Sequence, residues 1–512
     1  MNVYYWQQIA MSTRNAAQPV WLFTAWMVVL FLSSGISSQL SGPPKGVHQW
    51  RQTDGASMAL NYYQNHQAFF SPQEHNLTGT DGHSASEFPI INYLAGRLYY
   101  ITGPNELIFR LLNGLFMLVG CWYLYKTGLH FIKNAWLALW PVILLTTSPF
   151  YFYYGFHFLP NVPAISCALA GWYYFIRYME QPLGRSISLS MLLFGLAALF
   201  KISDGISLIA ASGLFLLHFI HRPVAARTGS ITGLIAMFLA VAAVGSWTRF
   251  TIRYNDIHHT SLSLTGILPI WNMDASSISA TCQRFWEEWS KHIFHPVVWV
   301  FHAASLLLFL LEFRHLNPLL RKITLLLLAG SLAYILLWME PMYHHDYYML
   351  TPIITLVFIW LSVLERIQVR IQQVWQTTFY RRSIILLGLA CMAGLLWYNR
   401  GMQFFRSTDA QYENVAPGFY TIEPYLRSLG IQRTDRVISA GDPTRNVSLY
   451  LMNNQGWTDV YNERKVTLEE MLQQGAQYLV VSGTPMKQNA GIQPEQYEQI
   501  GAYEGILIYR LK

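Results

Sequence analysis

Long apolar blocks, most of them 15–20 residues and separated by short polar links, constrain this chain more than any other feature. A helix rises about 1.5 Å per residue, so roughly 20 apolar residues cross the ~30 Å hydrocarbon core of a bilayer. The blocks run over 21–40, 106–125, 134–150, 162–178, 186–200, 204–220, 229–247, 296–313, 323–339, 348–365 and 383–398. They predict a polytopic α-helical membrane protein with about eleven transmembrane helices. Only 12% of the residues are charged, against ~25% in a soluble domain. The 15% of Phe, Trp and Tyr suits rings that settle at headgroup level. A thinner stretch, 89–101, starts with Pro89 and carries Asn92 and Arg97. It reads as an interfacial or re-entrant helix.

Orientation follows from the basic residues. If 89–101 does not cross, then Arg14, Lys126, Lys133, Arg177, Arg185, Arg222, Arg227, Arg314, Arg321, Lys322, Arg366, Arg370, Arg381 and Arg382 all fall on one side. That side is expected to be cytoplasmic, with the N-terminus on it. The net charge of +7 has this origin, and no nucleic-acid partner is expected. Met1–Val20 is polar, so the run 21–40 reads as a retained span rather than a cleaved signal. Cys121, Cys167, Cys282 and Cys391 show no metal spacing and predict no disulfide framework. The outer side then receives the loops 41–104, 248–295 and 340–350 and the region 399–512. That last region alternates strand-like and helix-like runs, which predicts a small soluble α/β domain after a membrane domain of residues 1–398. No repeat of 20–50 residues is present.

The polar residues on the outer side are the candidate chemistry. Asp54, in "HQWRQTDGASMA" with Arg51, is a solvated loop acid if it acts alone. Glu87, in "SASEFPIINYL", makes a second carboxylate on the same long loop. One could serve as a base and the other as a metal ligand or orienting group. Lys201, in "KISDG", falls on the outer side against the positive-inside trend; it either snorkels to the interface or binds an anion such as a lipid phosphate. The run "YHHDYY" holds His344, His345, Asp346 and Tyr347. Its tyrosines fit an aromatic belt, but the histidines and the acid exceed what a belt needs. His258 and His259 form a second pair after Asp256. Histidine with carboxylate can hold a divalent ion, although adjacent loop histidines more often hold none. The chain has no glycine-rich phosphate loop, GxSxG or HExxH. The sequon at Asn76, "NLT", is given no weight. Chemistry at the membrane surface points to a lipid substrate.

These segments resemble the GT-C glycosyltransferases, in particular the bacterial branch related to the aminoarabinose transferase of lipid A and to protein O-mannosyltransferases. Three features carry the resemblance over roughly the first 220 residues. An acid sits in "WRQTDGASMA". A Glu precedes the proline-led segment "SEFPIINYLAGRLYYITGPNELIFRLLNGL". A Lys follows a glycine-containing span in "LLFGLAALFKISDG". The resemblance implies a sugar donor linked to polyprenyl phosphate and an acceptor lipid, glycan or protein. It also implies a multi-pass protein of a bacterial inner membrane, with the site and the C-terminal domain facing the periplasm. No nucleotide is implied. Asp54 would activate the acceptor hydroxyl, Glu87 would help to hold a divalent metal ion, and Lys201 would lie near the lipid phosphate. Metal ligands beside Glu87 would be His258, His259 and His344. The chain departs from the family pattern at Phe88 and the single Pro89, where a Lys and two prolines are usual. Arg51, Lys201 or a histidine, His345 among them, would have to supply the missing charge. Asn161 stands where a second acid is common, and His157 is its possible substitute. Two alternatives stay open: a ligase that moves a whole glycan from a polyprenyl-diphosphate carrier, and a transporter of a lipid-linked substrate.

Overall fold

The computed structural model describes residues 19–77, 81–221, 228–260, 266–375, 378–459, 466–483 and 492–511. Arg14, Arg222 and Arg227 lie outside the described residues. Among those described, six helices are long and apolar enough to cross a membrane: Glu106–Phe131, Ile202–Ile220, Ser230–Ile257, Pro318–Leu337, Asp346–Gln368 and Tyr380–Thr408. Two bent pairs bring the number to at most eight, and Pro19–Ser34 and Gly184–Phe200 are shorter apolar helices. The expected eleven spans are therefore not all drawn as single straight helices. The block 134–150 divides into Ala135–Thr146 and Pro149–Gly155, which meet at 77°. Pro149 cannot continue a helix from the residues before it, and Ser148 caps the new one by accepting from the Tyr151 amide. A second bend, of 102°, separates Ala275–Ile293 from Pro296–Leu311. Much of what reads as the outer loop 248–295 is thus helix.

Leu306, Leu310 and Leu311, with Ile209, Phe238 and Leu387 on other helices, are exposed. Such a surface suits lipid rather than water. Inside, Phe150, Tyr151, Tyr153 and Tyr154 are fully buried.

The segment 41–104 also contains more helix than a loop would. Gln49–Gln64 is a polar helix buried along most of its length, and Ile90–Thr102 is the 13-residue helix expected near 89–101. Asp54 is therefore a buried helical residue, 2% exposed, and not a solvated loop acid. The helix can lie this close because residue 55 is glycine: a Cβ there would come within 2.5 Å of the Phe158 carbonyl oxygen. Asn92 donates to the Gly55 carbonyl at 2.9 Å and ties the two helices together.

The C-terminal region holds a five-stranded sheet in the order β2-β1-β3-β5-β4. Strands β1 (Arg436–Ala440), β2 (Gly456–Thr458) and β3 (Ala476–Ser482) run parallel, and β4 (Glu498–Tyr503) and β5 (Ile506–Arg510) close one side antiparallel. Neighbouring residues along β1 enter different cores, Val437 with Phe419 and Leu449, Ile438 with Leu77 and Trp457. This is the period-two alternation of a strand covered on both faces. Leu77 belongs to the segment 41–104, so that segment is part of the sheet's own core.

Candidate functional site

The stretch Ser84–Phe88 is fixed from two sides. Asn255, on the long helix Ser230–Ile257, accepts from the Ala85 amide at 2.8 Å and donates to its carbonyl at 2.9 Å. Trp247 donates to the Ser86 carbonyl at 3.1 Å, and the Phe88 amide donates to the Leu199 carbonyl at 3.1 Å. Held this way, Glu87 meets the first turns of helix Gln49–Gln64 and the end of helix Gly184–Phe200.

Four charged groups predicted from sequence come together there. One Glu87 oxygen lies 2.5 Å from Arg51 Nη2, and the other lies 3.0 Å from Lys201 Nζ. Arg51 Nη1 also lies 3.6 Å from Asp54, so one guanidinium joins both acids. Lys201 sits 5.0 Å from the Tyr348 ring centroid and 5.7 Å from that of Tyr347, within reach of cation–π attraction. Its ammonium is thus aimed inward and does not snorkel.

The two acids are driven in opposite directions. Burial acts to raise Glu87, but Arg51 and Lys201 outweigh it and hold the carboxyl well below the usual carboxylate range. Burial also raises Asp54; Arg445 and Arg51 oppose it without cancelling it, and Glu87 adds to the rise. A pair of carboxyls separated in this way suits division into an anchored anion and a proton acceptor. Asp54 Oδ1 is buried and has no hydrogen-bond partner.

Other predicted residues are placed differently. His345 stacks on Tyr347 at 5.4 Å and packs against Trp50 and His48. Burial pushes its pKa down to about 3, so it is neutral at physiological pH and contributes no charge. His157 stacks on Tyr153 at 3.7 Å and is bonded to the Tyr153 carbonyl at 2.5 Å. Burial holds it well below the ordinary histidine value, so it is a packed core residue. Asn161 donates to the Tyr347 carbonyl at 3.2 Å. Asp346 is paired with Arg406 at 2.9 Å and His48 at 3.0 Å.

The predicted metal set is not assembled. Both Glu87 oxygens are held by cations, and His259 and His344 are exposed. Among the described residues the one group with metal-like spacing is Asp81, His83 and His258, whose ligand atoms lie within 4.8 Å of one another. A metal ion at Glu87 would have to displace the Arg51 and Lys201 side chains, so the donor set there does not fit one.

Sequence reading missed several residues. Arg445, in the C-terminal region, lies 2.8 Å from Glu74, and both are buried. Arg249 and Arg253 line an open groove of about 670 Å³ with Ile202, Val241, Val244 and Ile252. Thr248 and the acid Asp256 also line it, and Ile202 adjoins Lys201 in sequence. The spacing of Arg249 and Arg253, four apart near the C-terminal end of the helix Ser230–Ile257, was available as a signal. Nothing in the sequence singled out Glu74 or Arg445. Asn76 is fully buried and donates to the Arg445 carbonyl.

Residues 84–247 match the family model described as dolichyl-phosphate-mannose-protein mannosyltransferase. That interval holds Glu87 and Lys201 but not Arg51 or Asp54. No curated protein sequence gives a significant match. Among solved structures the chain is similar to ArnT from Cupriavidus metallidurans in the apo state, with a TM-score of 0.55 at 12% identity over 97% of this chain and 98% of that one. It is similar to the same protein bound to undecaprenyl phosphate, with a TM-score of 0.57 at 12% identity over 96% and 97%. It also resembles arabinofuranosyltransferase AftD from Mycobacteria, with a TM-score of 0.54 at 12% identity over 94% of this chain and 41% of that one. At such identity the likeness is one of fold, and the GT-C fold expected from the sequence is the fold the chain adopts.

Proposed function

We propose that this chain is a GT-C glycosyltransferase that moves a sugar from a polyprenyl-phosphate donor to a hydroxyl acceptor. The site would lie on the outer face of a bacterial inner membrane. The observation that carries the reading is the Glu87 carboxylate held by Arg51 at 2.5 Å and Lys201 at 3.0 Å, beside a buried acid with one unpartnered oxygen. The phosphodiester of the donor, and the monoester it leaves, can take the place of Glu87 between the two cations, because these anions and a carboxylate present the same kind of oxygen acceptors. The groove lined by Ile202, Val241, Val244 and Ile252, and by Arg249, Arg253 and Asp256, would take the first prenyl units on its apolar residues. The match to a mannosyltransferase family model over residues 84–247 and the fold shared with a protein bound to undecaprenyl phosphate support the same donor class.

In the transfer, the acceptor oxygen forms a bond to the sugar's anomeric carbon. The bond from that carbon to the phosphate oxygen breaks, and its electron pair leaves with the polyprenyl phosphate. Asp54 accepts the hydroxyl proton, and Arg51 and Lys201 stabilise the charge that develops on the phosphate. The buried neighbours Gly55 and Phe158 hold the helix that carries Asp54, and so fix the direction of its free oxygen.

The test uses purified protein in nanodiscs with undecaprenyl-phosphate-linked sugars. Release of undecaprenyl phosphate that depends on an added hydroxyl acceptor supports the reading. Failure to bind undecaprenyl phosphate removes it. The orientation is tested separately by an alkaline phosphatase fusion at residue 400, which is expected to be active.

A further inference from the structure

The chain doubles back on itself between Pro72 and Ser84. The Ser84 amide donates to the Pro72 carbonyl at 3.1 Å and the Glu74 amide to the Gly82 carbonyl at 2.9 Å, and Gln73 faces His83 as an antiparallel bridge. This hairpin is anchored on two sides. At the sheet, the Leu77 amide donates to the Gly456 carbonyl at 2.7 Å, and the Gly456 amide donates to the His75 carbonyl at 3.0 Å, so residue 76 runs as a short parallel edge on β2. At the helix Ser230–Ile257, the Tyr254 hydroxyl donates to the Pro72 carbonyl at 3.3 Å.

The returning arm reads "DGHS". Gly82 has a φ of 79°, and a Cβ there would lie 2.7 Å from the Glu74 carbonyl oxygen, so the turn favours glycine. Asp81 and His83, on either side of it, meet His258, the residue that follows the helix. Asp81 Oδ2 lies 3.0 Å from His83 Nδ1 and 3.0 Å from His258 Nδ1. The two imidazoles stack at 4.7 Å, and the Tyr254 ring packs against both. The histidine side chains keep 19% and 22% exposure and Asp81 keeps 42%, so an ion can enter from solution.

Hydrogen bonding does not account for the whole cluster. The His83 amide donates to Asp81 Oδ1 at 3.1 Å, which orients the carboxylate, and His258 Nδ1 is bonded to Oδ2 at 3.0 Å. His83 Nδ1, at the same distance from that oxygen, is buried and has no hydrogen-bond partner. The three ligand atoms lie within 4.8 Å of one another. Around a tetrahedral zinc, with bonds of about 2.0–2.2 Å, ligand atoms sit about 3.3 Å apart, so small side-chain rotations complete the set. Two imidazoles with one carboxylate suit zinc better than calcium or magnesium, which favour oxygen alone. Three protein ligands leave a fourth position to water.

We propose that Asp81, His83 and His258 bind a divalent transition-metal ion of the zinc class, which clasps the hairpin 72–84 to the end of helix Ser230–Ile257. The set keeps His258 from the sequence expectation and replaces Glu87, His259 and His344 by Asp81 and His83. His83 leads directly into Ser84–Phe88, the stretch that the same helix holds through Asn255 and Trp247. The ion therefore ties the segment that carries Glu87 at one more point. The proposal does not depend on the glycosyltransferase reading, and its test uses neither donor nor acceptor.

The experiment takes the full-length protein in nanodiscs, stripped of metal with a chelator, and titrates it with Zn²⁺ alone. Zinc retained against a weak chelator is counted by elemental mass spectrometry, and affinity is read by competition with a chromogenic chelator. Wild type is expected to retain zinc. His83→Ala and His258→Ala should each bind it about tenfold or more weakly, since loss of even an outer-shell partner of a metal ligand costs about 10–100-fold. Asp81→Asn should weaken binding too, whereas the double variant His259→Ala/His344→Ala should not. No retained zinc, or equal binding by wild type and both single variants, overturns the proposal. Modification of wild type with diethyl pyrocarbonate, read by peptide mass spectrometry, decides even where a variant fails to fold. Zn²⁺ should protect His83 and His258 and leave His259 and His344 reactive; protection of all four alike, or of none, overturns the site. Hydrogen exchange reads the clasp: zinc should slow the amides of residues 81–88 in wild type and not in His258→Ala. Exchange in wild type that zinc leaves unchanged overturns the clasp.

Discussion

Two buried acids, Asp346 and Asp54, sit among cations and aromatic rings, and they differ in how completely they are satisfied. Asp346 is wholly enclosed. Arg406 lies 2.9 Å from one oxygen; His48 lies 3.0 Å from the other, and Tyr154 donates to it at 2.6 Å. Its partners come from three separate parts of the chain, so it acts as a rivet. Asp54 has one oxygen 3.6 Å from Arg51 and the other with no partner. Its neighbours Arg51 and Glu87 keep 17% and 18% side-chain exposure. An acid with both oxygens paired holds a fold together, whereas one with an open oxygen costs stability and leaves room for a ligand. Asp346, a candidate site residue by sequence, belongs with the first kind.

Crossed substitutions give the largest expected contrast. Asp54→Asn should lower turnover by about 10²–10⁴ without lowering the melting temperature. Asp346→Asn leaves Arg406 uncompensated and should cost about 3–5 kcal/mol of stability. Parallel turnover and thermal-melt measurements check both. The distinction fails if Asp54→Asn melts early or if Asp346→Asn keeps full stability.

A smaller effect is expected at the phosphate. A charge-assisted contact is worth about 1.5–3 kcal/mol, so Lys201→Ala should weaken undecaprenyl phosphate binding about tenfold or more. Glu87→Gln frees both cations and should change that affinity much less than Lys201→Ala. Equilibrium binding in nanodiscs reports both, and unchanged affinity in folded Lys201→Ala removes this residue from the phosphate site.

The two site acids should also respond oppositely to pH. Glu87 is depressed in the folded protein, so its stabilisation is present above the unfolded value of about 4.3 and fades as pH falls through the folded value. Asp54 is raised, so the folded state binds its proton more tightly. Stability then declines as pH rises from about 3.9 through the raised value. Asp54→Asn should flatten that decline in melts taken from pH 4 to 8, and Glu87→Gln should flatten the loss on the acid side. If neither profile changes, burial is not governing these groups. The smallest effects belong to the exposed His259 and His344, where alanine should change melting and turnover within about ±0.5 kcal/mol.

Charge that resists its apolar surroundings was legible in the sequence. Arg51, Asp54, Glu87 and Lys201 stood out in a chain with little charge, and the structure brings them together. The helical reading of the membrane part was legible for the same reason, since apolar length is a local property. Bends at Ser148–Pro149 and before Pro296 were less so, because a proline near the end of an apolar block leaves the direction of the next helix open. Arg445 and Glu74 are separated by hundreds of residues, and neither breaks a local pattern. His345 and His157 looked reactive from their types, but stacking and burial, which decide their protonation, are tertiary facts.

The shared edge between residue 76 and residue 456 also sets a schedule for biogenesis. The two positions are 380 residues apart along the chain (456 − 76). At about 5–20 residues per second of synthesis, the loop waits roughly 20–80 s for its strand partner to be made. Throughout that interval Glu74 lacks Arg445, Asn76 is not yet enclosed, and Leu77 has no core to enter. A folding helper that shields this short edge, or a quality-control protease that cuts it, would act in that window and lose its target once the sheet closes.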